Sequence, residues 1–233
     1  MRILGVIPAR GGSKTVPRKN IANIAGRPLI AYTIEEALKC NSITDVVVST
    51  DDGEIAMIAK SLGALVPFNR PEDLASDQAL SAPVAKHCLV EMESRQSYQY
   101  DAVLLLQPTT PLRTVDHINL AISLFKRNVC DSVVSVTSVE GNHPFRMKRL
   151  VGDKLINWID QGFEDMRPRQ LLPPVFIRNG AIYLTRRNVL YDNNSLVGDS
   201  CLGLIMNSED SINIDTKIDF KLAEILLKER GHK

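Results

Sequence analysis

The hydrophobic positions of this chain alternate between two periods. Short, nearly uninterrupted apolar runs at residues 3–7, 45–49, 102–106 and 132–136 have the length of buried strands. Between them, at 28–40, 53–62, 82–92 and 115–125, apolar residues recur at helical spacing, the first of these segments opened by a proline at its first turn. Strand and helix in alternation predict an α/β fold: a mostly parallel sheet flanked by helices. A last helix is expected over 216–229, with Ile218, Leu222, Ile225 and Leu226 near one face.

Between about 140 and 174 the rhythm lapses. This stretch carries Trp158, Met166 and four prolines with little periodicity, as an insertion that covers a site or meets a partner subunit would. There is no internal repeat, low-complexity tract or linker, so residues 1–233 are read as one domain with that embellishment.

Composition narrows the class only a little. Hydrophobic content of 44% with 24% charged residues is ordinary for a globular chain. No apolar run approaches the roughly 20 residues of a membrane helix, and the N-terminal apolar run meets Arg10 too early to read as a secretory signal. Four dispersed cysteines without a CxxC pair fit reduced thiols, so a cytoplasmic enzyme without membrane association is expected. Charge changes the picture more. Residues 1–34 hold six basic residues (Arg2, Arg10, Lys14, Arg18, Lys19, Arg27) and no acid, leaving −5 for the rest of a chain whose net charge is +1. So local an excess suits a small polyanion such as a nucleoside triphosphate, not a nucleic acid.

That basic segment includes PARGGSKTVPRKN at 8–20, directly after the first strand. In open α/β sheets ligands gather beyond the carboxyl ends of the strands, where this loop would lie. Gly11 and Gly12 permit close backbone approach, Ser13 and Asn20 add polar groups, and Arg10, Lys14 and Lys19 add charge. The loop is neither a Walker loop nor a dinucleotide fingerprint, and the plain alternative is a solvated basic connector. HExxH and GxSxG are absent, and the four histidines show no metal-ligand spacing. His143, before Pro144, is the one placed within the insertion.

Four further segments matter in combination: RPEDLASD at 70–77, LLQPTTPLR at 105–113, PRQLLPPVFIRNGAIYL at 168–184 and SINIDT at 211–216. With the 8–20 loop they resemble, in order and over nearly the whole chain, the motifs of the CMP-sialic acid synthetases (acylneuraminate cytidylyltransferases). The resemblance implies a Rossmann-like nucleotidyltransferase fold and transfer of CMP from CTP to the 2-hydroxyl of a nine-carbon acidic sugar, releasing pyrophosphate. N-acetylneuraminic acid or a close relative is the expected acceptor. Legionaminic, pseudaminic and the eight-carbon Kdo acid are alternatives, and a nucleotide-binding protein with impaired catalysis is the rival from another class. The family also implies a homodimer in which the insertion reaches toward the partner's site.

Residue by residue, the nucleotide is expected at Arg10, Gly11, Gly12, Ser13, Lys14, Lys19 and Asn20, with Arg70, Asp77 and Ser81 near it. The plain alternative for Arg70 and Asp77 is a loop ion pair. Gln107 and Thr109 follow a buried strand, and the resemblance implies that they, with Arg113, Arg146, Arg169 and Asn179, meet the sugar acid, which needs cationic and amide donors; the plain alternatives are a polar residue closing a strand for Gln107 and a surface or ion-pair arginine for Arg113. Arg178 departs from the family pattern, standing in IRNG where relatives carry RPNG.

Asn213 and Asp215 are two apart on an extended segment and so face one side, while Ile212 and Ile214 face the other. Two oxygen-bearing side chains there suit Mg²⁺, the expected cofactor. The family carries two aspartates; Asn213 offers an amide oxygen but no charge. The alternative role for Asp215 is N-cap of the last helix. Arg10, Lys14, Lys19 and Asp215 form the expected catalytic set, acting through positioning and charge neutralisation. No residue is assigned as general base.

Overall fold

The computed structural model of the chain describes residues 1–13 and 16–231. In chain order the elements are β1 (Ile3–Pro8), β2 (Asn23–Ile24), β3 (Arg27–Pro28), α1 (Leu29–Leu38), β4 (Asp45–Ser49), α2 (Gly53–Ser61), α3 (Ser81–Glu93), β5 (Ala102–Leu105), α4 (Val115–Arg127) and β6 (Ser132–Ser138). Then follow β7 (Lys148–Val151), β8 (Lys154–Asn157), β9 (Phe176–Arg186), α5 (Arg187–Asn193), β10 (Cys201–Ile205) and α6 (Lys217–Glu229). Six strands form one sheet in the order β10-β6-β9-β5-β1-β4. The pairs β1–β4, β1–β5 and β6–β10 are parallel, and β9 runs antiparallel between β5 and β6.

The continuous apolar runs are explained by helices on both faces, since a central parallel strand buries both of its sides. Along β1, Ile3 and Ile7 pack with Ile30 and Ile34 of α1, Ile55 of α2 and Ile118 of α4. Leu4 and Val6, pointing the other way, meet Cys88, Leu89 and Met92 of α3 and Leu190 of α5. Each expected strand and helix of the first 140 residues is present, with ends displaced by one or two residues. Cys40, Cys88 and Cys130 are buried and Cys201 is exposed, all four free thiols. Among the described residues no helix is long and apolar enough to cross a membrane.

β9 and β10 were not expected. The polar triplet Arg178-Asn179-Gly180 interrupts the apolar pattern of β9, and the strand's register against β6 shifts beside it, between Val134 and Val136. The irregular 140–174 stretch contains an antiparallel hairpin, β7–β8, that among the described residues pairs with no other strand. Its neighbourhood exposes Leu150, Leu155, Trp158 and Met166, which are between 65% and 81% accessible in the single chain. An isolated two-stranded hairpin is marginal in water, so this arm needs a covering surface.

The buried face of α6 differs from the expected one. Ala223 and Leu227 are buried, with Phe220 and Leu226 packed beside them against Leu29, Tyr32, Leu112 and Ile214. Ile218, Leu222 and Ile225 point outward. The N-cap is Thr216, whose hydroxyl accepts the Asp219 N–H while the Asp219 carboxylate accepts the Thr216 N–H. Asp215 is therefore not the cap.

Candidate active site

β1, β4 and β5 are parallel, so the loops after them open on one end of the sheet. There they enclose a cleft of about 260 Å³. The loop after β1 contributes Arg10, Gly12, Ser13, Lys19 and Asn20; the segment leading into α3 contributes Arg70, Asp77 and Ser81; the loop after β5 contributes Gln107 and Thr109. Asn213 and Asp215 complete the lining. Residues from 200 positions apart thus share one wall.

Short-range bonds shape the basic loop. Asn20, almost fully buried, donates from Nδ2 to the Arg10 carbonyl at 2.9 Å. Arg10 crosses to Asp77 at 2.8 Å. Arg18 turns away to Asp52 and Glu54, both at 2.9 Å. Lys19 donates from Nζ to the Ile214 carbonyl at 2.6 Å and lies 3.7 Å from the Asp215 carboxylate. Burial lowers the Lys19 pKa from its ordinary value; nearby Asp215 works against this shift, and Arg10 adds to it.

The pair on the extended segment behaves as its spacing requires: Asn213 and Asp215 line the cleft, while Ile214 is in the core beneath. Asn213 donates from Nδ2 to Asp215 Oδ2 at 2.9 Å, and its own Oδ1 is buried without a hydrogen-bond partner. The Ile214 N–H donates to the Thr109 carbonyl at 2.8 Å, fastening this segment to the loop after β5. An unpaired amide oxygen beside a carboxylate is a donor set that a hard cation such as Mg²⁺ accepts when phosphate oxygens and waters complete its shell. Among the described residues no group of three or more His, Cys, Asp or Glu side chains is arranged to hold a metal by itself.

A second cavity of about 340 Å³ shares Ser81 and Gln107 with the cleft. Its other walls are Arg178 and Tyr183 of β9 and the 194–197 turn, Asn194 to Val197. Of these, only Arg178 and Tyr183 fell inside a segment noticed in the sequence. The polar turn gives no signal, because its place depends on β9 pairing between β5 and β6. Gly180 stands at the junction with φ +78°, and a Cβ there would lie 2.7 Å from Gln107 Oε1. Gly180→Ala is expected to lose about 1–3 kcal/mol in denaturant unfolding from the left-handed backbone and to displace Gln107. A wild-type midpoint would show that the site absorbs the methyl group.

Several expected site residues lie elsewhere. Gly11 does not line the cleft: its N–H donates to Asp51 Oδ1 at 3.0 Å, and a Cβ would press on the Asp52 carboxylate at 2.7 Å. Arg70 lines the cleft, but its guanidinium is buried against Ser49, donating from Nε to Oγ at 3.0 Å and from Nη2 to the carbonyl. The Arg70–Asp77 ion pair considered from sequence is thus replaced by Arg10–Asp77. Arg113 is buried outside the cleft, donating to backbone carbonyls of Gln107 and Ala181. The amide hydrogens of Asn179 are spent on Ser211 Oγ and Met206 Sδ, and its oxygen accepts from Ser135 Oγ and the Ala181 N–H, so it holds β9 to its surroundings.

Arg146 donates to the Arg167 carbonyl at 2.7 Å, and Arg169 pairs with Glu140 at 2.5 Å; both belong to the arm and its base, outside the cleft of this chain. His143 accepts the Phe145 N–H and faces the Pro173 carbonyl, closing the arm's base. Lys14 lies outside the described residues.

A model of the cytidylyltransferase family matches residues 4–194. The chain belongs to the cytidylyltransferase family. It is 37% identical over 229 residues to the CMP-N,N'-diacetyllegionaminic acid synthase of Legionella pneumophila, covering 98% of this chain and 97% of that one. It is 34% identical to the N-acylneuraminate cytidylyltransferase of Escherichia coli, covering 95% of this chain and 51% of that longer protein. A solved CMP:2-keto-3-deoxy-manno-octonic acid synthetase complexed with CTP shares the fold, with a TM-score of 0.70 at 18% identity over 99% of this chain and 100% of that one. This cytidylyltransferase is accordingly a nucleotidyltransferase with the expected architecture. The family model's match ends before Asn213 and Asp215, whose place in the cleft is seen in the structure.

Proposed function

We propose that this cytidylyltransferase transfers CMP from CTP to the 2-hydroxyl of a nine-carbon acidic sugar, N-acetylneuraminic acid or a close relative. The supporting observation is that two cavities adjoin at Gln107 and Ser81. One carries Arg10 and Lys19, cations for a triphosphate; the other carries Arg178 with amide and hydroxyl groups, suited to a polyhydroxy carboxylate. The relative at 37% identity acts on a legionaminic acid and the one at 34% on an N-acylneuraminate, both within this substrate class.

In the proposed reaction the 2-hydroxyl oxygen attacks the α-phosphorus in line and its proton passes to solvent. The bond from the α-phosphorus to the bridging oxygen breaks, and pyrophosphate leaves. Little covalent work falls to the protein, and the rate comes from positioning and from neutralising charge on the phosphates. Arg10 is released from Asp77 to meet phosphate oxygens, and Lys19, already drawn in by the Ile214 carbonyl, holds its ammonium at the cleft wall. Gln107, at the junction, orients sugar against nucleotide. Asn213 and Asp215 would hold Mg²⁺, which when bound supplies further charge neutralisation at the phosphates.

We further read the protein as a cytoplasmic homodimer. The exposed arm is the covered surface in that reading, and Arg146 and Arg169 serve the partner's sugar cavity. Light scattering at working concentration is expected to give twice the chain mass; a strict monomer would remove the shared site. The central test is pyrophosphate release from CTP and Mg²⁺ with N-acetylneuraminic, legionaminic, pseudaminic and Kdo acids. Release with a nine-carbon acid is expected. Release with Kdo alone, or CTP binding without turnover on any acid, would overturn the proposal.

A further inference from the structure

The turn between β4 and α2 carries Asp51 and Asp52, and neither lines the nucleotide cleft. The turn nevertheless holds the basic loop at two points. At the first, the Gly11 N–H donates to Asp51 Oδ1 at 3.0 Å, and the bare Cα of Gly11 leaves room for the Asp52 carboxylate. At the second, Arg18 Nη2 donates to both oxygens of Asp52, at 3.0 and 2.9 Å, and pairs with Glu54 at 2.9 Å. Asp52 has a second duty. Its Oδ1 accepts the N–H groups of Glu54 and Ile55, at 2.9 and 3.0 Å, and so caps α2. The Ile55 N–H above all, with the Arg18 charge, holds the Asp52 carboxyl below its ordinary pKa despite partial desolvation, so it is ionised at neutral pH.

Arg18 is a strained point of the loop. Its φ of +49° lies in the left-handed region, which a non-glycine residue keeps only where its surroundings over-determine it. A single 3-10 turn, Lys19–Ile21, starts there, and the Ile21 N–H returns to the Arg18 carbonyl at 3.0 Å. The reversal sends neighbouring side chains opposite ways. Arg18 goes out to Asp52, while Lys19 goes to the cleft wall, where its Nζ meets the Ile214 carbonyl at 2.6 Å. The direction of Lys19 thus depends on the backbone of Arg18, and that backbone is held by the pair with Asp52.

We infer that Asp52 is a positioning residue for the transfer reaction, setting the place of Lys19 through Arg18 without touching substrate. The inference rests on the reading of Lys19 as a cation for the phosphates. Arg18 is half-exposed, so its ion pair adds little to stability, and the value of the contact is in placement. A displacement of about 1 Å in a group that orients reactants can cost up to roughly 10²-fold in rate.

The test removes the anchoring charges without uncapping α2. Asparagine caps a helix about as well as aspartate, so Asp52→Asn with Glu54→Gln frees Arg18 and keeps the start of α2. Arg18→Gln removes the other partner. Each arm is expected to lower kcat roughly 10- to 10²-fold, with the KM for the sugar unchanged and the melting temperature near wild type. Amide exchange across residues 18–22 should become faster in both. Combining the arms should cost no more than either alone, because both remove one contact. Arg18→Lys, which keeps the charge, should retain most of the rate. Wild-type kcat or unchanged exchange after Arg18 is freed, or losses that multiply on combination, would overturn the inference. Lys19→Ala measured alongside tells the two readings apart. Wild-type turnover in that variant defeats the reading of Lys19; a slow Lys19→Ala beside a fast Asp52→Asn/Glu54→Gln defeats this inference alone.

Discussion

Lys19→Ala is expected to lower turnover roughly 10²- to 10³-fold, the scale of losing one charge-stabilising donor in a transition state. Folding should survive. The contacts given up are one hydrogen bond, to the Ile214 carbonyl, and an ion pair with the exposed Asp215; such a bond contributes about 0.5–1.5 kcal/mol net and such a pair about 0–1 kcal/mol. Linkage points the same way. Because burial lowers the Lys19 pKa, the folded protein binds fewer protons than the unfolded chain between the lowered value and the ordinary lysine value of about 10.4. Stability from this group therefore rises with pH across that window, and below it the penalty of a partly desolvated ammonium is fully present. Alanine removes that penalty at neutral pH.

The same shift predicts a pH profile. Turnover should fail on the alkaline side earlier than an ordinary lysine would allow, and Lys19→Arg, which stays charged, should move that limb upward. Wild-type turnover in folded Lys19→Ala protein, measured by pyrophosphate release, would remove Lys19 from the catalytic set.

Asp215→Asn carries the second large effect. The substitution keeps the shape of the side chain and removes the only carboxylate of the pair that includes Asn213. Turnover is expected to fall by about 10²-fold or more, and the Mg²⁺ concentration for half-maximal rate to rise. A coupled sign distinguishes this from a folding defect. Asp215 is the main group working against the lowered pKa of Lys19, so its loss should lower that pKa further and bring the alkaline limb to still lower pH. The reciprocal change, Asn213→Asp, adds charge where an amide oxygen now lies buried without a partner. It should lower the Mg²⁺ concentration required; a Mn²⁺ binding titration unmoved by either substitution would exclude both positions as ligands.

The candidate site was legible wherever function depends on residues close in sequence or at strand spacing. Arg10, Gly12, Ser13, Lys19 and Asn20 of the loop after β1, Gln107 and Thr109 after β5, and Asn213 with Asp215 line the cleft. The basic loop was also misread in part, because an amide free in sequence can be taken by a distant acid, as Gly11 is by Asp51. Arg113 and Asn179 have the donor chemistry of a sugar site, but their donors point into the protein. Donor type is a property of the residue; the direction of a side chain is a property of its packing.

By itself the sequence determined the alternation of strands and helices, the loops at which ligand chemistry concentrates, and the family, since each rests on local periodicity or on motifs in order. Only the tertiary structure decided that β9 inserts antiparallel between β5 and β6, bringing Arg178 and Tyr183 to Gln107. It also turned Ile218, Leu222 and Ile225 outward on α6, set the arm apart from the sheet, and buried Arg113 outside the cleft. These are long-range pairings and burials. Their energies depend on which distant surfaces meet, and no local pattern of residues encodes that choice.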